Sequence, residues 1–270
     1  MSDEAVRALS FGKVAEDYEA TRPSWPLEPF TQVLEHFDVR EGPDVVDVAA
    51  GTGKLTRTLA LFAGTLVAVE PDAQLREVIQ RVLPDVDVFA GTAEALPLET
   101  ASADMICAGQ AFHWFDLERA GAEFARVLRP GGILVAGWNL PTEDGSWYDA
   151  VVEYLETENP SHLPASERDW TADLGALAGY EGLYEVTFRH DQPTSVGAFT
   201  RLMGTQSAII RMTPERQAAL IAGALDVARR HGAFDAEGNG VTPLSCELMA
   251  LRRSPGYTVP VTETALPIRQ

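Results

Sequence analysis

Between residues 44 and 138, five short apolar runs alternate with segments of helical period, and this rhythm constrains the fold more than any other property of the chain. The runs are Asp44–Ala49 (DVVDVA), Leu66–Val69, Val86–Phe89, Ala103–Ala108 (ADMICA) and Ile133–Trp138. Short continuous apolar runs bounded by turns suit strands buried on both faces. The intervening segments Gly53–Phe62, 73–82 and 117–128 carry apolar residues at helix spacing. Asp72 and Asp116 stand where an N-cap is needed, and the last segment stops at Arg129-Pro130-Gly131-Gly132. Strands alternating with helices demand right-handed crossovers, hence a doubly wound α/β fold whose mostly parallel sheet has helices on both faces.

The flanks are organised differently. Residues 1–40 read as a helical lead-in broken by Arg22-Pro23 and Trp25-Pro26, with Phe30, Val33, Leu34 and Phe37 at helical spacing. Beyond residue 140 the rhythm stops. Trp147–Glu156 and Pro214–His231 read as helices, 184–190 and Tyr257–Leu266 as strands, and the Gly-rich stretch 232–240 as a turn. Three regions follow: an N-terminal helical cap (1–40), a core (41–140), and an elaboration (141–270) that adds lid helices and the last two strands of the sheet.

The charge is far from zero. Twenty-one basic against 40 acidic residues leave a formal net charge of −19, and no basic block interrupts the excess. Nucleic acid and anionic membranes need cations clustered on one face, so neither is an expected partner. Cys107 and Cys246 form neither a disulfide framework nor a metal spacing, and read as small buried hydrophobes in a reducing compartment. No metal site is expected. The N-terminus lacks a signal-peptide pattern and no apolar run is long enough to span a bilayer, so a cytoplasmic protein is expected.

The turn Asp47-Val48-Ala49-Ala50-Gly51-Thr52-Gly53 follows the first strand and opens a helix. A phosphate-binding P-loop fails on two positions, since Val48 stands at its first glycine and Leu55 at its Ser/Thr. A dinucleotide turn is weakened because Thr56 takes the place of the third glycine. A third ligand class fits. The stretches VVDVAAGTGKLT, VAVEPD, GTAEALPL, ADMICAGQAFHWFD and EFARVLRPGGILV together resemble the class I S-adenosylmethionine (SAM)-dependent methyltransferases, in that family's order and spacing. The resemblance is to its small-molecule branch, which includes trans-aconitate methyltransferase-like (methyltransferase type 11) proteins. It implies a seven-stranded sheet with the last strand antiparallel, a helical substrate lid, and SAM as cofactor.

The resemblance also implies roles for residues. Ala49, Gly51 and Gly53 would let the methionine part of SAM lie against bare backbone near a helix N-terminus. Glu70, followed by Pro71, would receive the ribose hydroxyls. Thr92, Ala93 and Glu94 would border the adenine, although the family often has Asp where this chain has Thr92. Gln110 and Ala111 would line the methionine side. Tyr18 and Arg22, in a lead-in similar to the element that closes over SAM in this branch, are candidates for the cofactor carboxylate. Asp47 has two open readings: it orients the glycine turn through backbone N–H groups, or it meets the amino-acid part of SAM.

His113 is the candidate for the chemical step, either as a base or as a residue that positions substrate, with a purely structural role still open. Trp25, Trp114 and Trp138 are candidate substrate walls. Methyl transfer is an in-line displacement that needs positioning and desolvation, with a base only where the acceptor is protonated at neutral pH. A small-molecule acceptor methylated on oxygen is the favoured expectation. C- or N-methylation, and a SAM-binding enzyme that runs a non-methylating reaction such as a cyclase or decarboxylase, are the alternatives. An Asp/Asn-Pro-Pro-Tyr/Phe signature of nucleic-acid amino-methylation is missing after the fourth strand, where Ala108-Gly109-Gln110-Ala111-Phe112 stands. The oligomeric state is not legible.

Overall fold

The computed structural model describes residues 19–142, 145–159, 169–210 and 212–258. Among them, seven strands form one sheet: β1 (Asp44–Val48), β2 (Thr65–Val69), β3 (Asp87–Phe89), β4 (Ala103–Gly109), β5 (Leu128–Pro141), β6 (Tyr180–Ser195) and β7 (Asn239–Arg253). Their order is β3-β2-β1-β4-β5-β7-β6. The first five pair in parallel, and β7 inserts antiparallel between β5 and β6. This is the expected architecture. The helices are α1 (Glu28–His36), α2 (Lys54–Leu59), α3 (Ala73–Val82), α4 (Leu117–Val127), α5 (Trp147–Glu158), α6 (Trp170–Gly175), α7 (Val196–Gly204), α8 (Ser207–Ile210) and α9 (Pro214–Arg230).

The caps act as the sequence requires. The Asp72 carboxylate accepts from the Gln74 and Leu75 N–H groups at 2.8 and 3.2 Å, and Asp116 accepts from Arg119 N–H at 3.3 Å. Each satisfies donors that the first helical turn leaves open. Alternate strand residues then feed two apolar layers. On one face Trp25, Phe30, Val33, Leu55 and Leu59 pack over Val45, Met105, Cys107, Ile133 and Val135. On the other, Phe124, Val127, Trp170 and Leu174 pack over Val46, Ile106, Leu134 and Trp138. A third cluster, built from α5, α7 and α9 around Val151, Phe199, Met203 and Leu220, forms a helical cap with its own core. Both cysteines are free and buried.

The C-terminal strand departs from expectation. Tyr257 lies outside any strand, residues 259–266 fall outside the described residues, and the last strand is β7. Its start, Asn239, lies inside the stretch read as a turn. Because both faces of β7 are covered, Cys246, Leu248 and Ala250 by one apolar layer and Met249 and Leu251 by the other, almost every residue from Leu244 to Leu251 is buried or nearly so, which removes the alternation that marks a half-exposed strand. β6 is an edge strand, and its exposure does alternate.

Candidate functional site

β1 and β4 are sequence-distant neighbours, and the chain leaves their C-terminal ends toward opposite edges of the sheet. Open α/β sheets bind ligands at such a switch point. A cavity of about 550 Å³, measured with its open mouth, sits there. Its floor is the turn after β1 (Asp47, Ala49, Ala50, Gly51, Thr52), one side is Gly109 and Gln110 after β4 with Asn139 of β5, and the other is Arg22, Pro23, Trp25, Lys54 and Leu55.

The turn geometry explains the residue types. Gly51 and Gly53 adopt φ of 61° and 87°, and Gly53 is the left-handed N-cap of α2. A Cβ at Gly51 would meet nothing within 4 Å, so that position is open cradle, whereas one at Gly53 would press on Leu83 at 3.1 Å. Of the four non-glycine residues with left-handed backbone among the described residues, two line the cavity, Ala49 (φ 55°) at the tip of β1 and Gln110 (φ 57°) at the tip of β4; Asp38 and Ala101 lie elsewhere. Each costs about 1–2 kcal/mol, and strain of this kind gathers at functional sites. Gln110 is held by β5, its N–H donating to Gly137 O and its side-chain amide to Asn139 O, both at 2.8 Å.

Two carboxylates underlie the turn. Asp47 Oδ2 accepts from the Thr56 hydroxyl at 2.6 Å, while Oδ1, buried and lining the cavity residue set, has no hydrogen-bond partner among the described residues. Thr52 Oγ1 is likewise buried without a partner. Glu70, at the end of β2, accepts from Gly51 N–H through Oε2 and from Asp72 N–H through Oε1, each at 2.9 Å. It ties the glycine turn of β1 to the start of α3. Burial pushes both carboxyls up to about 7, Asp47 further raised by Glu70 and opposed by Thr56, Glu70 opposed by its two backbone donors. A carboxyl whose folded pKa exceeds its unfolded value binds protons more tightly in the folded state. These two groups therefore make the ligand-free protein less stable as pH rises from about 4 to 7.

The other expected residues are distributed as follows. Arg22 lines the cavity and donates from Nη2 to Thr205 O at 3.1 Å, linking the lead-in to the cap. Tyr18 lies outside the described residues. The Trp25 indole covers Gly109 and Gly137, which face each other across β4 and β5; a Cβ on either would come within 2.6 or 3.0 Å of the ring. Pro71 and Glu70 present carbonyls to Arg76. Ala93 is core, Thr92 bridges Ala95, and Glu94 accepts from Asp116 N–H at 3.1 Å, joining the loop after β3 to α4. Ala111 is buried beside Phe112. His113 and Trp114 occupy a single 3-10 turn (Phe112–Trp114), their rings 4.5 Å apart. Trp138 is 2% exposed in the opposite layer, stacked within 5.0 Å of Trp170 and 6.2 Å of Phe112. Thus Arg22, Trp25, Asp47, Ala49, Gly51 and Gln110 meet around one cavity, whereas Gly53, Glu70 and Pro71, the stretch Thr92–Glu94, Ala111, His113, Trp114 and Trp138 are not among its lining residues.

Sequence reading left out several lining residues, among them Thr52, Lys54, Gly109 and Asn139, and two residues that hold lining side chains from behind, Thr56 and His190. Asn139 had a usable signal, being a polar residue at the C-terminal end of an apolar strand. His190 Nε2 lies 2.8 Å from Asn139 Oδ1, and burial lowers its pKa against the opposing pull of Asp191 and Glu28.

Comparison with known proteins now gives this geometry a class. The methyltransferase-domain family model matches residues 46–136. A protein of Schizosaccharomyces pombe named as an uncharacterized methyltransferase is 33% identical over 202 residues, covering 74% of this chain and 80% of that protein. One from Mycobacterium tuberculosis, similarly named, is 42% identical over 148 residues, 55% of this chain and 59% of its own length. The solved structure of a type II methyltransferase from Anaeromyxobacter dehalogenans superposes with TM-score 0.64 at 29% identity, covering 87% of this chain and 99% of that one. The chain belongs to the methyltransferase family, whose cofactor is SAM, and has the class I methyltransferase fold. No helix among the described residues is long and apolar enough to cross a membrane.

The residues present fit that cofactor. Two residues of the cavity lining carry a buried polar atom without a partner among the described residues, Asp47 Oδ1 and Thr52 Oγ1, and the same lining has no Cβ at Gly51. Leaving such groups unpaired costs about 1–3 kcal/mol each, a cost that a ligand with matching donors removes.

Proposed function

We propose that the protein transfers the methyl group of SAM to an oxygen of a small-molecule acceptor. The observation that carries the reading is the unpartnered, buried Asp47 Oδ1 next to an open glycine turn at the β1/β4 switch point. SAM, when bound, supplies an electrophilic methyl on a sulfonium. Asp47 would hold its cationic amino-acid part, with Gly51, Thr52 and Gln110 around it and Arg22 facing the carboxylate. Glu70 would receive the ribose hydroxyls on the lone pairs that Gly51 and Asp72 leave free. Trp25 and the 3-10 turn at His113 would exclude water, since displacement at a sulfonium gains from a dry, oriented site. His113 would accept the acceptor's proton where the nucleophile is a phenol or alcohol. The net charge of −19 disfavours polyanionic acceptors such as nucleic acid.

A second reading has one specific support. The demethylmenaquinone methyltransferase of Renibacterium salmoninarum is 30% identical over 182 residues, 60% of this chain and 76% of that enzyme. A demethylated quinol is therefore a defined acceptor to test beside a metabolite extract. With methyl-labelled SAM, labelled products heavier by one methylene and one equivalent of demethylated cofactor are expected, and fragmentation assigns oxygen or carbon. Stable SAM binding with neither product would replace methyl transfer by a non-methylating use of the cofactor.

Two further results test the residues. Cofactor binding beside Asp47 favours its ionised form, so calorimetry at pH 6 in buffers of different ionisation enthalpy should show proton release. Release should rise toward two protons, one from Asp47 and one from Glu70, and fade above pH 8; a release that Asp47→Asn leaves unchanged removes Asp47 from contact. For His113→Ala, single-turnover rates should drop roughly 10²-fold or more on a hydroxylated acceptor. A wild-type rate across pH 6–9 would remove it as base.

A further inference from the structure

The segment Arg22–Trp25 forms one wall of the cavity, and its attachments are unevenly distributed. Arg22 reaches Thr205 O, and Trp25 O accepts from the Thr58 hydroxyl at 2.9 Å while its ring lies on Gly109 and Gly137. Between them, both backbone groups of Ser24 are taken by side chains from the far strands of the sheet. Its N–H donates to Gln192 Oε1 at 3.3 Å, and its carbonyl accepts from Asn139 Nδ2 at 2.9 Å.

A carbonyl can only accept, so the Asn139 amide must turn its nitrogen to Ser24 and its oxygen to His190. That oxygen lies 2.8 Å from His190 Nε2, which must therefore carry a proton. Asn139 is 8% exposed, and a rotated amide would leave a buried acceptor and a buried donor mismatched on both sides. The neutral Nε2–H tautomer and the imidazolium both donate, so the contact does not depend on His190 charge, whatever Asp191 and Glu28 do to its titration.

We propose that His190 is a positioning residue that, through the side-chain amide of Asn139, latches the Arg22–Trp25 segment over the cavity and so sets how fast the cofactor leaves. His190 itself is not a lining residue; it acts on the bound molecule only through Asn139 and the segment. The effect on cofactor release rests on the SAM reading of the cavity, while the latch itself does not.

Hydrogen exchange of the ligand-free full chain tests the latch alone. Pro23 and Pro26 carry no amide, so a peptide across this segment reports chiefly on Ser24 and Trp25. In His190→Ala, exchange there should quicken on the order of 3–10-fold, the range expected for a net hydrogen bond, with β4 and β5 unchanged. His190→Gln, which restores an N–H donor, should return it to within about 2-fold of wild type. In an Asn139→Ala background, His190→Ala should add nothing, because the coupling has been removed. SAM dissociation by stopped flow should quicken by a similar factor in His190→Ala and recover in His190→Gln. Unchanged exchange in His190→Ala, a glutamine no better than alanine, or quickening spread over the whole sheet would each overturn the latch. If exchange responds as expected but wild type binds no SAM, the latch stands and the cofactor reading of the cavity fails.

Discussion

Glu70→Ala should weaken SAM binding on the order of 10- to 100-fold by calorimetry. The lost carboxylate accepts two backbone hydrogen bonds, and bonds to a charged group contribute about 1.5–3 kcal/mol. One of its donors is Gly51, so the turn that cradles the ligand loosens even before any ribose contact is counted. Glu70→Gln should lose nearly as much, because its NH2 replaces one of the two accepting oxygens and cannot accept from the Gly51 or Asp72 N–H that faces it. Stability separates this effect from simple unfolding. Wild type carries a growing cost as the buried carboxyl ionises toward its pKa of about 7. The neutral glutamine escapes that cost. Its Tm deficit relative to wild type should therefore be larger at pH 5.5 than at pH 8, and an affinity equal to wild type would sink the role given to Glu70.

Gly109→Ala should lower Tm by roughly 3–10 °C, the equivalent of about 1–3 kcal/mol of overpacking in a chain of this size. The new methyl would sit 2.6 Å from the Trp25 ring and 3.1 Å from Leu55, and the indole is rigid and buried. Since Trp25 also walls the cavity, SAM affinity should fall with stability. Pairing the change with Trp25→Phe gives the smaller ring room to move, so the double variant should lose less than the sum of the two singles. Additive losses in thermal melts would show that the strand glycines are not kept open for the indole.

The sequence carried the local part of this structure. Asp72 and Asp116 announce helix starts because capping is a matter of three residues, and the runs from Asp44 to Trp138 announce strands because both faces of a parallel sheet are buried. The same logic misleads at the C-terminus, where β7, an interior strand of the sheet, lacks the alternation of the edge strand β6, while the stretch 257–266 alternates in sequence. Around the cavity, the turn residues were legible because they are contiguous. Thr56, Asn139 and His190 were not, because each matters through a partner that only the fold brings near: Asp47, Ser24 and Asn139 in turn. Trp138 was placed with the site by its chemistry, although strand parity sets it on the opposite face from its neighbour Asn139.

The helical cap has a further property. Ser195 and Asn239, where the chain leaves β6 and enters β7, are paired residues of the same ladder, and Val196 N–H still donates to Gly238 O at 3.0 Å. Everything from α7 to α9 is thus inserted between two points that the sheet already holds together. The closing cost of such an excursion grows only slowly with its length. Residues 196–238 can be lengthened, shortened or exchanged with little disturbance of the strand register beneath them.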